Sequence, residues 1–361
     1  MTAVLIPTGS EAEWLEARRA GITASEIAIV MGLSPYSSPY ALYHQKLGIL
    51  PSDVDSDVME RGRVLEPHIA EKFAALHPEL AVEGDGRTLF AHRDRPWQLA
   101  TPDRLTRNRG NRPMDYQCCD WHKPGKALPG GMAACCDPND CGSCCDDCPT
   151  CPANNRLWPT AVLECKVDGG SDDWGEPGTD EIPVHYRAQV LWQCRVLGVR
   201  RWHAGCFNAD RWKARWYEGV IDDAAEADLE LMEGEALGFL GRLESGDAPD
   251  VDWRPATISA LKTLHPSVED TTAEIGPQLA DRYESACRNL RRWEQRKKLY
   301  EARIRLAAGP ARRVVRKGPG QVPVARRDVY EVRESVRKAY TVDKLVSTPP
   351  KEKKHDRPDS Q

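Results

Sequence analysis

The chain has 361 residues, of which 40% are apolar and 29% charged, with a formal net charge of −5. That length holds one large domain with appendages or two domains, and the composition is that of a soluble globular protein. No run approaches the roughly 18 apolar residues of a membrane helix, and the short apolar start, Ala3 to Ile6, meets Glu11 and Glu13 without a basic n-region or long h-region, so no signal peptide is expected and a cytoplasmic location follows.

Taken in order, Glu11 to Arg19 predicts a short helix capped by Ser10. Gly21 to Ser25 forms a turn into a second helix, Glu26 to Met31, with Ser25 placed to cap it. Ser38-Pro39 starts a third, Tyr40 to Leu47. Val58 to Leu76 predicts a longer amphipathic helix ended by His77-Pro78. Short strands follow at 80–83, 88–91 and 98–101, bounded by turn residues. A cysteine-rich segment interrupts them, and Thr160 to Val167 resumes the sheet as an apolar central strand. Pro183 to Leu197 is helical, with Val190, Cys194 and Leu197 on one face. Trp202 to Phe207 and Arg215 to Glu218 are a strand pair, and Ala224 to Leu243 is a helix. Glu244 to Pro266 is loop-like, with Pro249, Pro255 and Pro266 marking a boundary. A long helix runs from Pro277 to Ala307, where Leu279, Tyr283, Ala286, Leu290, Trp293, Lys297, Tyr300 and Ile304 recur at coiled-coil-like spacing. Val314-Val315 and Val322 to Ala325 form a small hairpin around Gly318-Pro319-Gly320. From Pro349 the chain is charged and poor in apolar residues, as in disordered segments. No internal repeat stands out. The expected organisation is a core domain at 1–245, a linker at 246–272, a helix-plus-β extension at 273–345 and a disordered tail at 346–361.

Charge gives no global nucleic-acid signature, although from Arg312 onward basic residues outnumber acidic ones about two to one. Taken by itself, that segment reads as a solvated basic tail. Thirteen cysteines are many for the cytoplasm, and nine of them lie between Cys118 and Cys151. Cys165, Cys194, Cys206 and Cys287 are single and read as small buried hydrophobes.

The chemistry centres on Glu164-Cys165-Lys166, at the end of the apolar run 160–163. A carboxylate and a lysine two residues apart on a strand share a face. With Asp103 in Ala100-Thr101-Pro102-Asp103, they form the acid…E-x-K pattern of a metal-dependent nuclease. Phosphodiester cleavage needs an activated water, charge neutralisation and a stabilised leaving oxygen, and hard divalent ions held by carboxylates meet these needs. Asp103 and Glu164 would hold the metal, the Cys165 carbonyl would add a hard oxygen, and Lys166 would orient water or stabilise the transition state.

Flanking motifs carry a resemblance. Trp14-Leu15-Glu16-Ala17-Arg18-Arg19-Ala20-Gly21-Ile22-Thr23-Ala24-Ser25-Glu26 and Gly32-Leu33-Ser34-Pro35-Tyr36, with Pro39 and Leu42-Tyr43, come first. Arg61 to Pro67, Ala100 to Asp103, Leu163 to Lys166 and Ile182 to Gln189 follow, all in one order over roughly residues 10 to 210. This set resembles the YqaJ-like viral recombinase and phage lambda-type exonuclease family. The resemblance implies an α/β (α+β) fold with a PD-(D/E)XK restriction-endonuclease-like core, a central mixed sheet flanked by helices. It implies Mg²⁺-dependent (or Mn²⁺-dependent) exonuclease action, from 5′ ends of linear duplex DNA, in phage or prophage recombination. By motif, Asp103 and Glu164 are metal ligands, Lys166 is catalytic, and Glu66 and Gln189 assist the metal, its water shell or the water. Arg18 and Ser25 would hold phosphate, and a helix start suits Ser25 for that task. Thr101 stands where the family often has serine and retains a hydroxyl for DNA contact. The resemblance also implies a single-strand annealing partner and a homo-oligomeric ring, a trimer. One departure is acidic Asp168 to Asp173 where lambda exonuclease has an arginine, which counts against a 5′-phosphate requirement.

The larger departure is the insert at 116–158. Cys118, Cys119, His122, Cys135, Cys136, Cys141, Cys144, Cys145, Cys148 and Cys151 crowd into it. Cys-x-x-Cys repeats place two thiolates on one ion, and there are ligands for two zinc ions whose binding would supply the folding energy. An iron–sulfur cluster, disulfides or a reactive loop are the alternatives, and the cytosol disfavours disulfides. Asp137, Asp140, Asp146 and Asp147 argue against a strong phosphate grip. Two readings stand beside the exonuclease: a zinc-stabilised nucleic-acid-binding or adaptor protein with an idle core, and a PD-(D/E)XK endonuclease or iron–sulfur nuclease acting on single strands.

Overall fold

The computed structural model describes residues 3–51, 57–108, 159–168, 173–209, 211–267, 269–318 and 323–329. The cysteine-rich insert, with Cys118, Cys119, His122, Cys135, Cys136, Cys141, Cys144, Cys145, Cys148 and Cys151, lies outside them, as does the tail at 346–361. The chain divides into two units, Met1–Val268 and Glu269–Gln361.

The first unit opens with β1 (Ala3–Ile6), α1 (Glu11–Arg19), β2 (Ile22–Thr23), α2 (Ala24–Val30), α3 (Pro39–Lys46) and α4 (Asp57–Leu76). Four strands follow, β3 (Leu80–Glu83), β4 (Leu89–His92), β5 (Arg95–Ala100) and β6 (Arg104–Asn108). Then come β7 (Ala161–Asp168), α5 (Val184–Leu197), β8 (Arg201–Asn208), β9 (Lys213–Val220), α6 (Asp223–Ser245) and α7 (Pro255–Leu264). Local chemistry sets many of these bounds. The Ser10 hydroxyl accepts from the Glu13 N–H at 3.2 Å and the Ser38 hydroxyl from the Ala41 N–H at 3.2 Å, each satisfying a helix-start donor.

Five strands form a mixed sheet in the order β3-β6-β7-β8-β9. β7 pairs antiparallel with β6 and parallel with β8, which makes it the central strand that its apolar run predicts. A second sheet has the order β1-β4-β5-β2. Side chains alternate across β7: Leu163 and Cys165 pack under α4 with Ile69, Ala70, Phe73 and Phe207. Val162 lies in the larger cluster on the opposite face, with Val190, Leu191 and Cys194 of α5. α5 buries residues all around its circumference, including Trp192 and Gln193, as expected of a helix enclosed between layers. Trp192 Nε1 donates to the Ile22 carbonyl at 3.2 Å and ties α5 to β2.

Three expectations change. The second helix starts earlier: Thr23 is its N-cap, with the Glu26 carboxylate accepting from the Thr23 N–H at 2.9 Å, so Ser25 sits inside the first turn and is not the cap. The loop expected at 244–266, which overlaps the expected linker 246–272, holds α7. Pro255 occupies its first turn, where the missing N–H costs nothing. Ala260 of α7 packs with Ala41 and Leu50, and Thr257 Oγ1 bonds Ser38 Oγ at 2.7 Å, so α7 belongs to the first unit. Strands β1, β2 (inside the expected turn 21–25) and β6 add to the expected elements; the polar run Arg104 to Asn108 shows no clear alternation.

The second unit contains α8 (Pro277–Ala308), a helix of 32 residues, and the hairpin β10 (Arg313–Val315) with β11 (Pro323–Arg326). None of the residues of α8 is buried. Among the described residues no helix is long and apolar enough to cross a membrane.

Candidate active site

Glu164 and Lys166 leave β7 on the face toward α5, as the two-residue repeat of a strand requires. Their side chains meet in an ion pair between Lys166 Nζ and Glu164 Oε1. Asp103 sits where β5 hands over to β6, and its Oδ2 accepts from the Cys165 N–H at 2.7 Å. β6 and β7 pair at Arg104 and Leu163, so register places the two carboxylates side by side although they are far apart in the chain.

These groups line a cavity of about 180 Å³ together with Trp14, Arg18, Thr23, Ala24, Ser25, Gly86, Thr101 and Gln189. Of the residues singled out in the nuclease core, Asp103, Glu164, Lys166, Gln189, Arg18, Ser25 and Thr101 therefore share one pocket. Arg18 donates to Ser25 Oγ at 3.2 Å, and its guanidinium lies over the Trp14 ring at 4.3 Å. Gln189 Nε2 donates to Glu164 Oε1 at 2.5 Å. Glu66 stands apart from the lining. Its Oε1 accepts from Arg104 at 2.6 Å, and it packs behind Gly86, where an added Cβ would lie 2.9 Å from that oxygen. The Cys165 thiol points into the α4 core, where burial pushes its pKa well up.

Burial and the Glu164 charge raise the Asp103 pKa well above the ordinary carboxylate range. Burial opposes the charge on Lys166, yet the carboxylates of Glu164 and Asp103 outweigh it and lift its pKa above the usual lysine value. Glu164, 1% exposed, meets Lys166, Gln189 and Gln193 as donors, and a cation in the cavity would offset the charge that Asp103 gains on ionising.

The donor set suits a hard cation. Two adjacent carboxylates face one cavity, and the Thr101 hydroxyl in its wall is buried with no hydrogen-bond partner. Among the described residues no group of three or more His, Cys, Asp or Glu side chains forms a metal cluster, so further ligands would come from carbonyl, water or phosphate oxygens.

Three participants have no motif signal that separates them from ordinary core or surface residues. Gln193, one helical turn beyond Gln189, is fully buried and donates to Glu164 Oε2 at 2.7 Å. The i, i+4 spacing of Gln189 and Gln193 is the trace that could have found it. Arg104 binds Glu66 beside Asp103. Lys46, 3% exposed, donates to the carbonyls of Arg18 (2.8 Å) and Gly21 (2.6 Å) and to Glu26 (2.7 Å), locking the segment that carries Arg18 and Ser25.

A mixed sheet flanked by helices, with Asp…Glu-x-Lys gathered at its central strands, defines a PD-(D/E)XK-like core. Residues 13–200 match the YqaJ-like viral recombinase domain, and the chain belongs to that family. It is 37% identical over 273 residues to the protein YqaJ of Bacillus subtilis (strain 168), a match covering 73% of this chain and 66% of that protein. Among solved structures, an alkaline exonuclease (LHK-Exo) from Laribacter hongkongensis aligns with a TM-score of 0.39 at 18% identity, covering 65% of this chain and 94% of that one. The same enzyme in complex with dAMP aligns with a TM-score of 0.40 at the same identity and coverage.

Proposed function

We propose that this protein is a divalent-metal-dependent exonuclease that degrades linear duplex DNA, from 5′ ends, in phage-type homologous recombination. The observation that carries the reading is the convergence of Asp103, Glu164 and Lys166 with the Arg18–Ser25 pair in one cavity. Family membership supports it.

Asp103 and Glu164, with the Cys165 carbonyl, would hold Mg²⁺ or Mn²⁺, which supplies Lewis-acid stabilisation of charge on the phosphate when bound. Lys166, held protonated by the carboxylates, donates to the attacking water or to a phosphate oxygen and acts electrostatically rather than as a base. Gln189 and Gln193 fix Glu164 from both oxygens, so its position costs no rearrangement during reaction. Gln189, at the cavity wall, also reaches the water. Arg18 and Ser25 grip a phosphate of the strand being cut, with Thr101 as a further donor, and Glu66 orients Arg104 behind the site.

The intact Asp103, Glu164, Lys166 and Gln189 set weighs against an adaptor with an idle core. The cysteine-rich insert at 116–158 is read as a zinc-stabilised knob, and metal analysis of reduced protein tests it: absence of both zinc and iron refutes a metal site. A homo-oligomeric ring, a single-strand annealing partner and a cytoplasmic site of action in the bacterial host complete the proposal.

The deciding experiment follows end-labelled linear duplex and closed circular DNA with Mg²⁺ and with EDTA. Linear DNA should be consumed from its ends only with Mg²⁺, circles should persist, and Lys166→Ala should be inactive yet folded. Wild-type digestion by Lys166→Ala sinks the assignment.

A further inference from the structure

The second unit has a charge opposite in sign to the chain as a whole. Between 277 and 329 there are fifteen Arg and Lys residues and five Asp and Glu residues, against a net charge of −5 for the full sequence. A local excess of ten positive charges on one helix and one hairpin is an electrostatic footprint for a polyanion.

Its arrangement is specific. Arg288, Arg292, Arg296 and Arg303 recur at steps of four, four and seven, which places them along one face of α8. Beside that row run exposed aromatic residues: Trp293 is 65% exposed and Tyr300 57%. Each ring is met by an arginine, Arg296 over Trp293 at 5.2 Å and Arg303 over Tyr300 at 5.9 Å. Seven residues along a helix span about 10 Å, so the two rings stand as separate steps on one rod. The hairpin adds Arg312, Arg313, Arg316, Arg326 and Arg327 beyond the end of the helix.

Two occupants compete for an exposed stripe of this kind, a second copy of the helix and a nucleic acid strand. A second copy of the helix would bring like charge against like charge, and Lys297 sits inside the apolar seam between Trp293 and Tyr300, where a paired helix would bury it. A nucleic acid strand meets both features at once. Phosphates pair with the arginine row, and unpaired bases stack on rings that a closed duplex could not reach. We infer that the second unit is a docking surface for single-stranded DNA, with Trp293 and Tyr300 as stacking platforms and Arg288, Arg292, Arg296 and Arg303 as the phosphate track. In the exonuclease reading, on which the identity of the strand as DNA rests, that strand is the one left undegraded.

The test uses the full chain in EDTA, so that binding is read without hydrolysis. Fluorescence anisotropy with labelled oligo(dT) and with blunt duplex is followed over a KCl series. Trp293→Ala/Tyr300→Ala should weaken oligo(dT) binding by about tenfold or more, each base stack accounting for a several-fold loss at least, with little change for duplex. Arg288→Gln/Arg292→Gln/Arg296→Gln should lower the salt slope for oligo(dT) by about two, from roughly 0.7 per phosphate contact. Helical circular dichroism and Mg²⁺-dependent cleavage of a short duplex should stay as in wild type for both variants. Wild-type oligo(dT) affinity and slope in both overturn the inference. So does an equal loss on duplex, and so does a wild-type oligomer that the aromatic variant dissociates, since the stripe would then be a self-association seam. A wild-type protein that binds oligo(dT) this way but cleaves nothing fails the exonuclease reading and leaves the docking surface standing.

Discussion

The main-chain N–H of Cys165 donates to Asp103 Oδ2 at 2.7 Å, so the strand that carries Glu164 and Lys166 also fixes the second carboxylate of the site. Asp103 is thereby held in a half-buried position beside a second carboxylate. Asp103→Asn keeps an oxygen acceptor for Cys165 and removes the ionisable carboxyl beside Glu164. The variant should lose DNA degradation by at least about a hundredfold while its metal-free melting temperature equals or exceeds wild type, because the carboxylate is harboured for chemistry at a cost in stability. Divalent cations should raise the melting temperature of wild type and not of the variant. Differential scanning fluorimetry with and without Mg²⁺ checks both halves.

Gln193 holds Oε2 of Glu164 from inside the core. Gln193→Leu keeps the volume and deletes the donor, leaving a buried carboxylate oxygen short of a partner. The expected cost is about 1–3 kcal/mol in urea denaturation. Catalytic rate should drop with KM little moved, since Gln193 orients a site group and lies outside the cavity wall.

Lys46 links three acceptors through one buried ammonium. Burial lowers its pKa from the ordinary value, and the Glu26 carboxylate counters that without cancelling it. Lys46→Met should destabilise the protein by about 3 kcal/mol, because Glu26 is left without its counter-charge. DNA affinity should fall as well, as the Arg18–Ser25 segment loosens. The double variant Lys46→Met/Glu26→Gln should recover part of the stability, and an additive double variant would show that the two residues are not coupled.

Gly21 lies against the Trp97 carbonyl where β2 runs beside β5, and a Cβ there would overlap that backbone. Neither partner is a flexible side chain, so Gly21→Ala should cost roughly 2–3 kcal/mol or abolish folding. Soluble yield and thermal unfolding report it. Gly62→Ala on α4, where nothing lies within 4 Å of the added methyl, serves as the control and should be neutral or slightly stabilising.

His203 is enclosed beside Phe73 and His77 on the α4 side of the sheet. Burial lowers its pKa to about 4. The unfolded chain therefore binds this proton at a higher pH than the folded one, and stability contributed by the neutral ring is present above pH ~6.5 and drains away as pH falls toward 4. The loss should approach roughly 2–3 kcal/mol. Urea midpoints at about pH 7 and about pH 4.5 should separate more in wild type than in His203→Asn, and equal separation would exclude His203 as the source.

Much of the fold is legible in local chemistry. Ser10 and Ser38 announce their helices, the unbroken apolar run before Glu164 marks a strand buried on both faces, and Pro277 opens the long helix. Strand β6 is hidden because Arg104 to Asn108 is polar and gains its place only by pairing with β7 on one side and β3 on the other. Helix α7 is hidden because prolines on either side read as a loop, whereas Pro255 begins a helix whose Ala260 and Thr257 pack on α3.

By itself, the sequence determined which side chains of one element share a face. The two-residue repeat of a strand puts Glu164 and Lys166 on one face whatever surrounds them, and the helix periodicity does the same for the arginines of α8. Tertiary structure alone decided that Asp103 reaches them, that Gln193 and Lys46 support the site from within, and that Glu66 stands behind it with Arg104. Those relationships depend on strand register and on burial between layers, and both arise only when segments far apart in the chain exclude water together.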